Sequence, residues 1–584
     1  MSGKKHILLS VFASLLAVLN YQLQASSMLP ESLNQRIHSH LIISDYPSAI
    51  SEAWNGIQQY PDSKLVWIAY LHAVAKMGDE KRMISHWKLF SERFPEEREN
   101  RELLESFAWA VIEKGSHASS PAIRVTALLG AFFSQDAKGV VILRRGLSDD
   151  NSFLRAAAVK LSSHLPDASL QDELLRLLET EKVWKVRMEV IRAIGDLRIG
   201  DAKDRLKKMI GQEHCHTEEK AAAVETLVSL CEHIQPHQIS QLVDSNRSGM
   251  RMLACELVSF FDQKQDIDRL SPLLHDHHSD VRAKVFQTIG RLRATSIGGT
   301  LVEDASEKGA HDPDSTVAIT AAWALTINNP EKGMAAFEKF FRLDSRDVRC
   351  SAAAALAATG KYGLPLARQM FHKSSDIYVK MNLAIGLIGQ RTDVNNACSC
   401  LFDGLSEKKE KWAWDEEENF RVLAPSKVKH DDAIPNYPEA VNQLTRLEVL
   451  QILAMVKYPF AQQAIKSFLK ESQWGISGLA SILLLTEGDE EAVDLVQNLL
   501  DDNDPKVKVQ AALILALWGK GEDVVPLLEE TYASADRELR EKILEGIGRV
   551  GSANSLSFLA EKLQEPYQTL RITAAAALLE CLYH

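Results

Sequence analysis

Apolar residues recur along most of this chain at the spacing of one helix face, and a basic residue beside them recurs at a longer spacing. In Val281-Arg282-Ala283-Lys284-Val285-Phe286-Gln287-Thr288-Ile289 an apolar residue stands one before Arg282, and others follow three, four and seven after it. Those positions make one apolar face of an α-helix. The frame returns at Arg124, Arg155, Arg187, Lys220, Arg251, Arg282, Arg349, Lys380, Arg446, Lys508, Arg540 and Arg571, mostly 31 to 33 residues apart. A period of this size predicts stacked repeats of two antiparallel helices, with the basic residue early in the second. Acidic or turn residues precede many of these helices: Asp280, Asp314, Asp347, Asp376, Asp536 and the pair Asp504-Pro505. An Asp there caps free N–H groups, and proline at the first helical position loses no helical bond.

Before residue 116 the spacing differs. Tyr60-Pro61 and Phe94-Pro95 lie 34 apart, each closing a helical segment, with Trp67 and Gly78 between them. Residues 26–115 resemble degenerate tetratricopeptide repeats, in which an aromatic opens the first helix, a small residue marks the turn and proline ends the unit. The match is partial, since Tyr70-Leu71 stand where that family has Leu-Gly. A plain helical cap on the following array predicts nearly the same shape.

From residue 116 onward the pattern Asp-x-x-Val-Arg-x-x-Ala-x-x-x-Leu-Gly resembles the HEAT repeat, in particular the short subtype named after bilin lyases. The copies Asp347-Val348-Arg349-Cys350-Ser351-Ala352 and Lys506-Val507-Lys508-Val509-Gln510-Ala511 carry it best. The resemblance implies an all-α superhelix of about fourteen repeats over 116–406 and 441–584. It also implies that the twelve basic residues form a structural ladder linking neighbouring repeats, with second helices lining the concave face. Ala318 occupies one basic slot, and a second slot, near Ser477, also lacks its basic residue.

The largest break lies between Lys380 and Arg446. Here a first helix reads from about Asp393 to Ser406 and its partner from Ala440, which leaves residues 407–440 as an insertion. It contains Trp412, Trp414, Asp415, Glu416, Glu417 and Glu418, two tryptophans that share one face of a strand beside an acidic run. Long loops in regular arrays often carry function, and Trp ringed by charge is the composition of a binding hot spot. These six residues are the candidate partner-binding site. A hairpin folded back with its Trp rings buried is the competing reading.

At 584 residues the chain exceeds what a single core fills, and 46% hydrophobic with 25% charged residues is ordinary for folded protein. Lys4 and Lys5 precede an apolar run from Ile7 to Leu19, with Ala25 before Ser26. This is the pattern of a cleaved secretory signal over residues 1–25, and it predicts export to a bacterial periplasm or envelope with no integral span afterwards. Leu23 is bulky for its place before the cut, so an uncleaved anchor stays open. With 67 basic against 79 acidic residues, the chain is a poor match for nucleic acid. Seven cysteines, at 215, 231, 255, 350, 398, 400 and 581, form no small-domain framework.

Candidate chemistry is sparse. His214-Cys215-His216 and His275-Asp276-His277-His278 are the dense clusters of metal-ligand types, two repeats apart and so about 20 Å distant, too far for one mononuclear site. Hydroxylases built on HEAT-like repeats bind iron with His-Glu dipeptides, and none of the 18 histidines is followed by Glu. No Walker loop, nucleophile elbow or zinc-protease motif occurs. The expectation is therefore a non-enzymatic, cofactor-free scaffold that binds protein partners. An auxiliary or lyase-like factor acting on a cofactor-bearing protein is the alternative, by repeat analogy alone. The apolar last helix, Arg571 to Leu582, suggests self-association through the C-terminal repeat, because a terminal repeat normally needs a polar outer face.

Overall fold

The computed structural model describes residues 30–211, 216–231, 233–407, 409–415, 420–429, 437–471, 490–519 and 521–583. The signal segment 1–25, His214, Cys215, Glu416, Glu417, Glu418 and the slot near Ser477 lie outside them.

The described chain is all-α apart from two small hairpins. In order it forms α1 (Pro30–Ile42), α2 (Tyr46–Gln59), α3 (Lys64–Met77), α4 (Glu80–Arg93), α5 (Arg101–Ser116), α6 (Pro121–Phe133), α7 (Ala137–Leu147), α8 (Ser152–Ser162), α9 (Ala168–Thr180) and α10 (Trp184–Asp196). There follow α11 (Lys203–Gly211), α12 (Thr217–Ser229), α13 (Pro236–Val243), α14 (Ser248–Phe260), a 3₁₀ stretch over Lys264–His275 and α15 (Ser279–Leu292). Then come β1 (Ser296–Ile297), β2 (Thr300–Leu301), α16 (Val302–Gly309), α17 (Ser315–Asn328), α18 (Pro330–Glu338), α19 (Arg346–Ala358), α20 (Leu364–Lys373), α21 (Ile377–Gly389) and α22 (Val394–Ser406). A second hairpin, β3 (Trp412–Asp415) and β4 (Val422–Pro425), precedes α23 (Tyr437–Met455), α24 (Ala461–Glu471), α25 (Glu490–Gln497) and α26 (Pro505–Leu517). The chain ends with α27 (Val525–Tyr532), α28 (Arg537–Val550), α29 (Leu556–Lys562) and α30 (Gln568–Tyr583).

The caps explain where the second helices begin. Asp314, Asp376, Asp504 and Asp536 each accept a backbone N–H of the first turn of α17, α21, α26 and α28. Asp280 and Asp347 do not cap; they sit inside the first turn, where His278 and Ser345 precede the helix and their charge meets the positive end of the dipole.

The chain divides into two compact units. One joins residues 1–197 to 519–584, and the other comprises 198–518. The recurring arginines run through both with one bonding scheme. Arg282 donates to the carbonyl of Asp276, six residues earlier, at 2.8 Å, and makes two parallel 2.8 Å bonds to the carboxylate of Asp312 in the next repeat. Arg124 does the same with Ala118 and Asp149, Arg155 with Asp149 and Glu181, and Arg251 with Ser245 and Asp276. Asp149 and Asp276, six before Arg155 and Arg282, are therefore used twice: the carbonyl serves their own repeat and the carboxylate serves the one before, whereas Ala118 and Ser245, six before Arg124 and Arg251, offer a carbonyl and have no carboxylate. Burial alone would raise the pKa of Asp276, but the bonds from Arg251 and from the His278 N–H outweigh it, and the carboxyl titrates below its ordinary range. Arg187 and Arg349 bond the carbonyls of Glu181 and Leu343 in the same way, and Arg540 bonds those of Tyr532 and Ala533. Lys380 instead lies 5.4 Å over the ring of Phe371. At Asp502, six before Lys508, the carboxylate is taken by Lys466 of α24, at 2.5 Å.

Where Ala318 replaces the basic residue, the acid it would have met is missing too: Leu343 stands at that position. Deleting both halves of a buried pair costs little, whereas deleting one leaves a buried charge alone.

The last helix corrects the expectation of self-association. Ala574–Ala577, Leu578, Leu579 and Leu582 of α30 are buried against α5, α6 and α28 within the first unit, so its apolar face is already covered by the chain itself. Among the described residues no helix is long and apolar enough to cross a membrane. Cys255, Cys350, Cys398, Cys400 and Cys581 are buried free thiols and Cys231 is an exposed one.

Candidate functional site

The insertion between α22 and α23 is a hairpin laid on second helices. β3 and β4 pair antiparallel, with Trp412 opposite Pro425 and Trp414 opposite Leu423. β4 packs on α19 and α21, and β3 on α23. Each outer edge of the hairpin is met by a buried asparagine. Asn382 of α21 accepts from the Leu423 N–H at 2.9 Å and donates to the Leu423 carbonyl at 2.8 Å, which reproduces strand pairing with one side chain. On the other edge Asn442 of α23 accepts from the Trp412 N–H at 2.9 Å.

Trp412 is consequently not a partner-binding residue in this structure. It is 1% exposed, its ring lies under the guanidinium of Arg446 at 4.2 Å, and Tyr378 packs beside it. Gly404 makes room: a Cβ there would come within 2.6 Å of the Met381 sulfur and 3.3 Å of the Trp412 ring. Burial, followed by Glu410, pushes the Tyr378 hydroxyl pKa up. Trp414 is half-buried against the same core, covered by Arg421 at 4.3 Å, and Arg421 is tied to Glu448 of α23 at 2.6 Å. Asp415, also half-buried, stands 3.9 Å from Lys427. The hydrophobic effect decides the outcome, because two indoles gain more by covering second helices than by facing water.

Arg446 shows how the array absorbs the insertion. In place of carbonyls five and six residues back, it bonds those of Leu405 at 2.8 Å and Glu407 at 2.6 Å, across the whole excursion. The ladder position is kept and the hairpin loops out from it.

Beside the hairpin root, α22, α23 and α24 enclose a groove of about 500 Å³. Phe402, Leu405, Leu450 and Phe468 supply apolar walls; Lys411, Glu439, Gln443 and Gln463 supply polar ones. The Gln443 side-chain oxygen is buried there without a hydrogen-bond partner. Phe402 of that lining also packs on Tyr458 and Phe460, a triad with ring centroids 5.6 to 5.9 Å apart, and Phe460 remains 51% exposed, with Met455 at 60%. Sequence reasoning missed these residues. The available signal was Tyr458-Pro459-Phe460 in the turn just after the inserted repeat, an aromatic pair where turns are normally polar.

The histidine loops show less. His277 stands 3.4 Å from Asp276, which is already engaged by Arg251, and His277 and His278 stack at 4.3 Å. Among the described residues no group of three potential metal ligands converges.

Comparison with known proteins follows this architecture. Residues 492–579 match the family model of HEAT repeats, and this stretch is HEAT repeat. A search of curated proteins finds no match to the sequence. Among solved structures the chain is similar to the karyopherin Kap121p, at 12% identity and a TM-score of 0.33, over 94% of this chain and 83% of that one. It is also similar to a structure describing Kap95p binding to RanGDP, at 12% identity and a TM-score of 0.34, covering 93% and 80%. The UNC-45 chaperone, described as binding and folding muscle myosin, matches at 11% identity and 0.32, covering 93% and 86%. Likeness at this level carries no partner or activity across to this chain.

Proposed function

We propose that the protein is an exported scaffold that holds a protein partner through the groove between the hairpin root and α24. The observation that carries this reading is Phe402, which lines a groove that also holds an unpaired buried acceptor and which packs outside it on Tyr458 and the half-exposed Phe460. Aromatic anchors beside a desolvated pocket are where binding energy concentrates. The groove suits an extended segment with one large apolar side chain and a donor placed for Gln443. Nothing in it resembles a set of reacting groups, and the described residues supply no convergent metal ligands.

The test is site-specific photo-crosslinking in the native envelope, with the photoreactive residue at Phe460 or, as a control, at Phe153 in the other unit, which is more exposed still. The expected result is one defined adduct from position 460, lost in Phe402→Ala and absent from position 153. Equal labelling from both positions, or none from 460, removes the groove from consideration. Export is checked separately, by cell fractionation and N-terminal sequencing of the full chain; a mature start at Ser26 is expected, and an intact N-terminus in the cytosolic fraction refutes it.

A further inference from the structure

The ladder does not stop at the last repeat. Arg571 donates to the carbonyl of Glu565, six residues earlier, at 2.8 Å, as Arg124, Arg155, Arg251 and Arg282 do with theirs. A rung then needs an acid from a following repeat, and no described helix follows α30. That acid comes from the N-terminal part of the same unit. The Glu80 carboxylate, at the start of α4, lies 3.3 Å from Arg571, and Glu80 is 5% exposed.

The surrounding contacts agree. Ile572 and Ala576 of α30 pack onto Gly115 of α5 and Gly130 of α6; a Cβ at Gly130 would lie 3.4 Å from that of Ala576. Arg101 donates to the Leu582 carbonyl, and the Trp109 indole N–H donates to the Tyr583 hydroxyl at 3.1 Å. That hydroxyl donates in turn to Glu105, which is paired with Lys138. Ser557 reaches Glu99 at 3.2 Å.

We propose that the C-terminal repeat is a clasp: it docks in cis on α4, α5 and α6 as though they were the next repeat, so that these helices and α30 order together as one cooperative unit. Ordinary solenoids couple only neighbours in sequence and fray at both ends. Here a rung between α30 and α4 ties the C-terminal repeat to helices more than 400 residues earlier.

Two measurements test the clasp on the full chain. In Gly130→Cys with Ala576→Cys, the Cβ separation suits a disulfide. Oxidation is expected to give a monomer with one crosslink joining peptides 121–133 and 568–583; crosslinks solely between copies, or none, overturn the proposal. The second is hydrogen exchange with Arg571→Ala. Loss of a charged buried partner leads us to expect roughly tenfold or more faster exchange in both 80–116 and 568–583. Glu80→Gln is expected to act reciprocally on 568–583. Acceleration confined to 537–583 in the first variant, with none in 568–583 in the second, sinks the coupling.

Discussion

Replacing Asn382 probes how the hairpin is held. The Asn382 amide makes three bonds: to the Tyr378 carbonyl in its own helix at 2.9 Å, and to the Leu423 N–H and carbonyl. Asn382→Leu keeps the volume and removes both bonds to β4. Asn382 and Leu423 are both buried, so the two backbone groups are stranded away from water. A stranded buried polar group costs about 1–3 kcal/mol, so the pair is expected to cost about 2–6 kcal/mol. The chain is a long array, so a single global unfolding energy is ill-defined. Hydrogen exchange at the Leu423 amide reads the local opening directly. Each 1.4 kcal/mol appears as a tenfold faster exchange, which puts the expected acceleration at about 30-fold or more. Asn382→Asp sharpens the test: an ionised carboxylate still accepts from the Leu423 N–H but faces two carbonyl oxygens with negative charge. It is therefore expected to be worse than Leu near neutrality and to recover as pH falls and the acid gains a donor. Leu423 protection unchanged within about twofold in Asn382→Leu would falsify the bridging role.

Other consequences are testable in the same way. Arg282→Ala leaves the part-buried Asp312 without its bidentate partner and is expected to loosen α15 and α17 by about 1–3 kcal/mol; adding Asp312→Leu, to copy the natural Ala318 and Leu343 pair, is expected to restore most of it, measured as a double-mutant cycle by exchange or proteolysis. Burial pushes the Glu580 carboxyl up to about 7, with Arg549 opposing and Glu545 adding to the shift. The folded state holds this proton from the ordinary value of 4.5 up to about 7, where the unfolded chain has released it, so stability falls as pH rises through that window and levels above it. Glu580→Gln is expected to stabilise the first unit by about 3 kcal/mol at pH 8 and hardly at all at pH 4, compared by thermal melts at both. Trp412→Ala is expected to destabilise by about 3–5 kcal/mol as a buried aromatic, while Phe460→Ala leaves melting nearly unchanged and acts on partner capture alone.

The repeat architecture was legible because its signal is local and repeated. A helix face, a capping Asp and an arginine at fixed offset each have a short-range cause, and the same answer returns many times. The basic residues at Arg124, Arg155, Arg251 and Arg282 sit in one bonding scheme for that reason. The site was less legible, since its determinants are long-range. Trp412 and Trp414 read equally well as exposed anchors or buried plates, and Asn382, 30 residues upstream of Trp412, helps to decide between them. Nothing marks that asparagine in a helix whose other residues are ordinary. The apolar last helix is a similar case: its composition showed that something must cover it, but α5 and α6 lie more than 400 residues away in sequence.

The rung built on one shared residue also bears on how such an array changes over generations. Where the residue six before the arginine is an acid, as at Asp149 with Arg155 and Asp276 with Arg282, the repeat carries one half of each of its two junctions. Such a repeat, cut out or copied whole, brings an acid for the arginine before it and an arginine for the acid after it, so both rungs re-form. Recombination in whole-repeat steps is thus tolerated in the way that a reading frame tolerates insertions in threes. The junction of Ala318 with Leu343 is the exception: a charged repeat inserted there would set its acid against Ala318 and its arginine against Leu343. It is the last place to attempt lengthening the protein by design with a charged repeat.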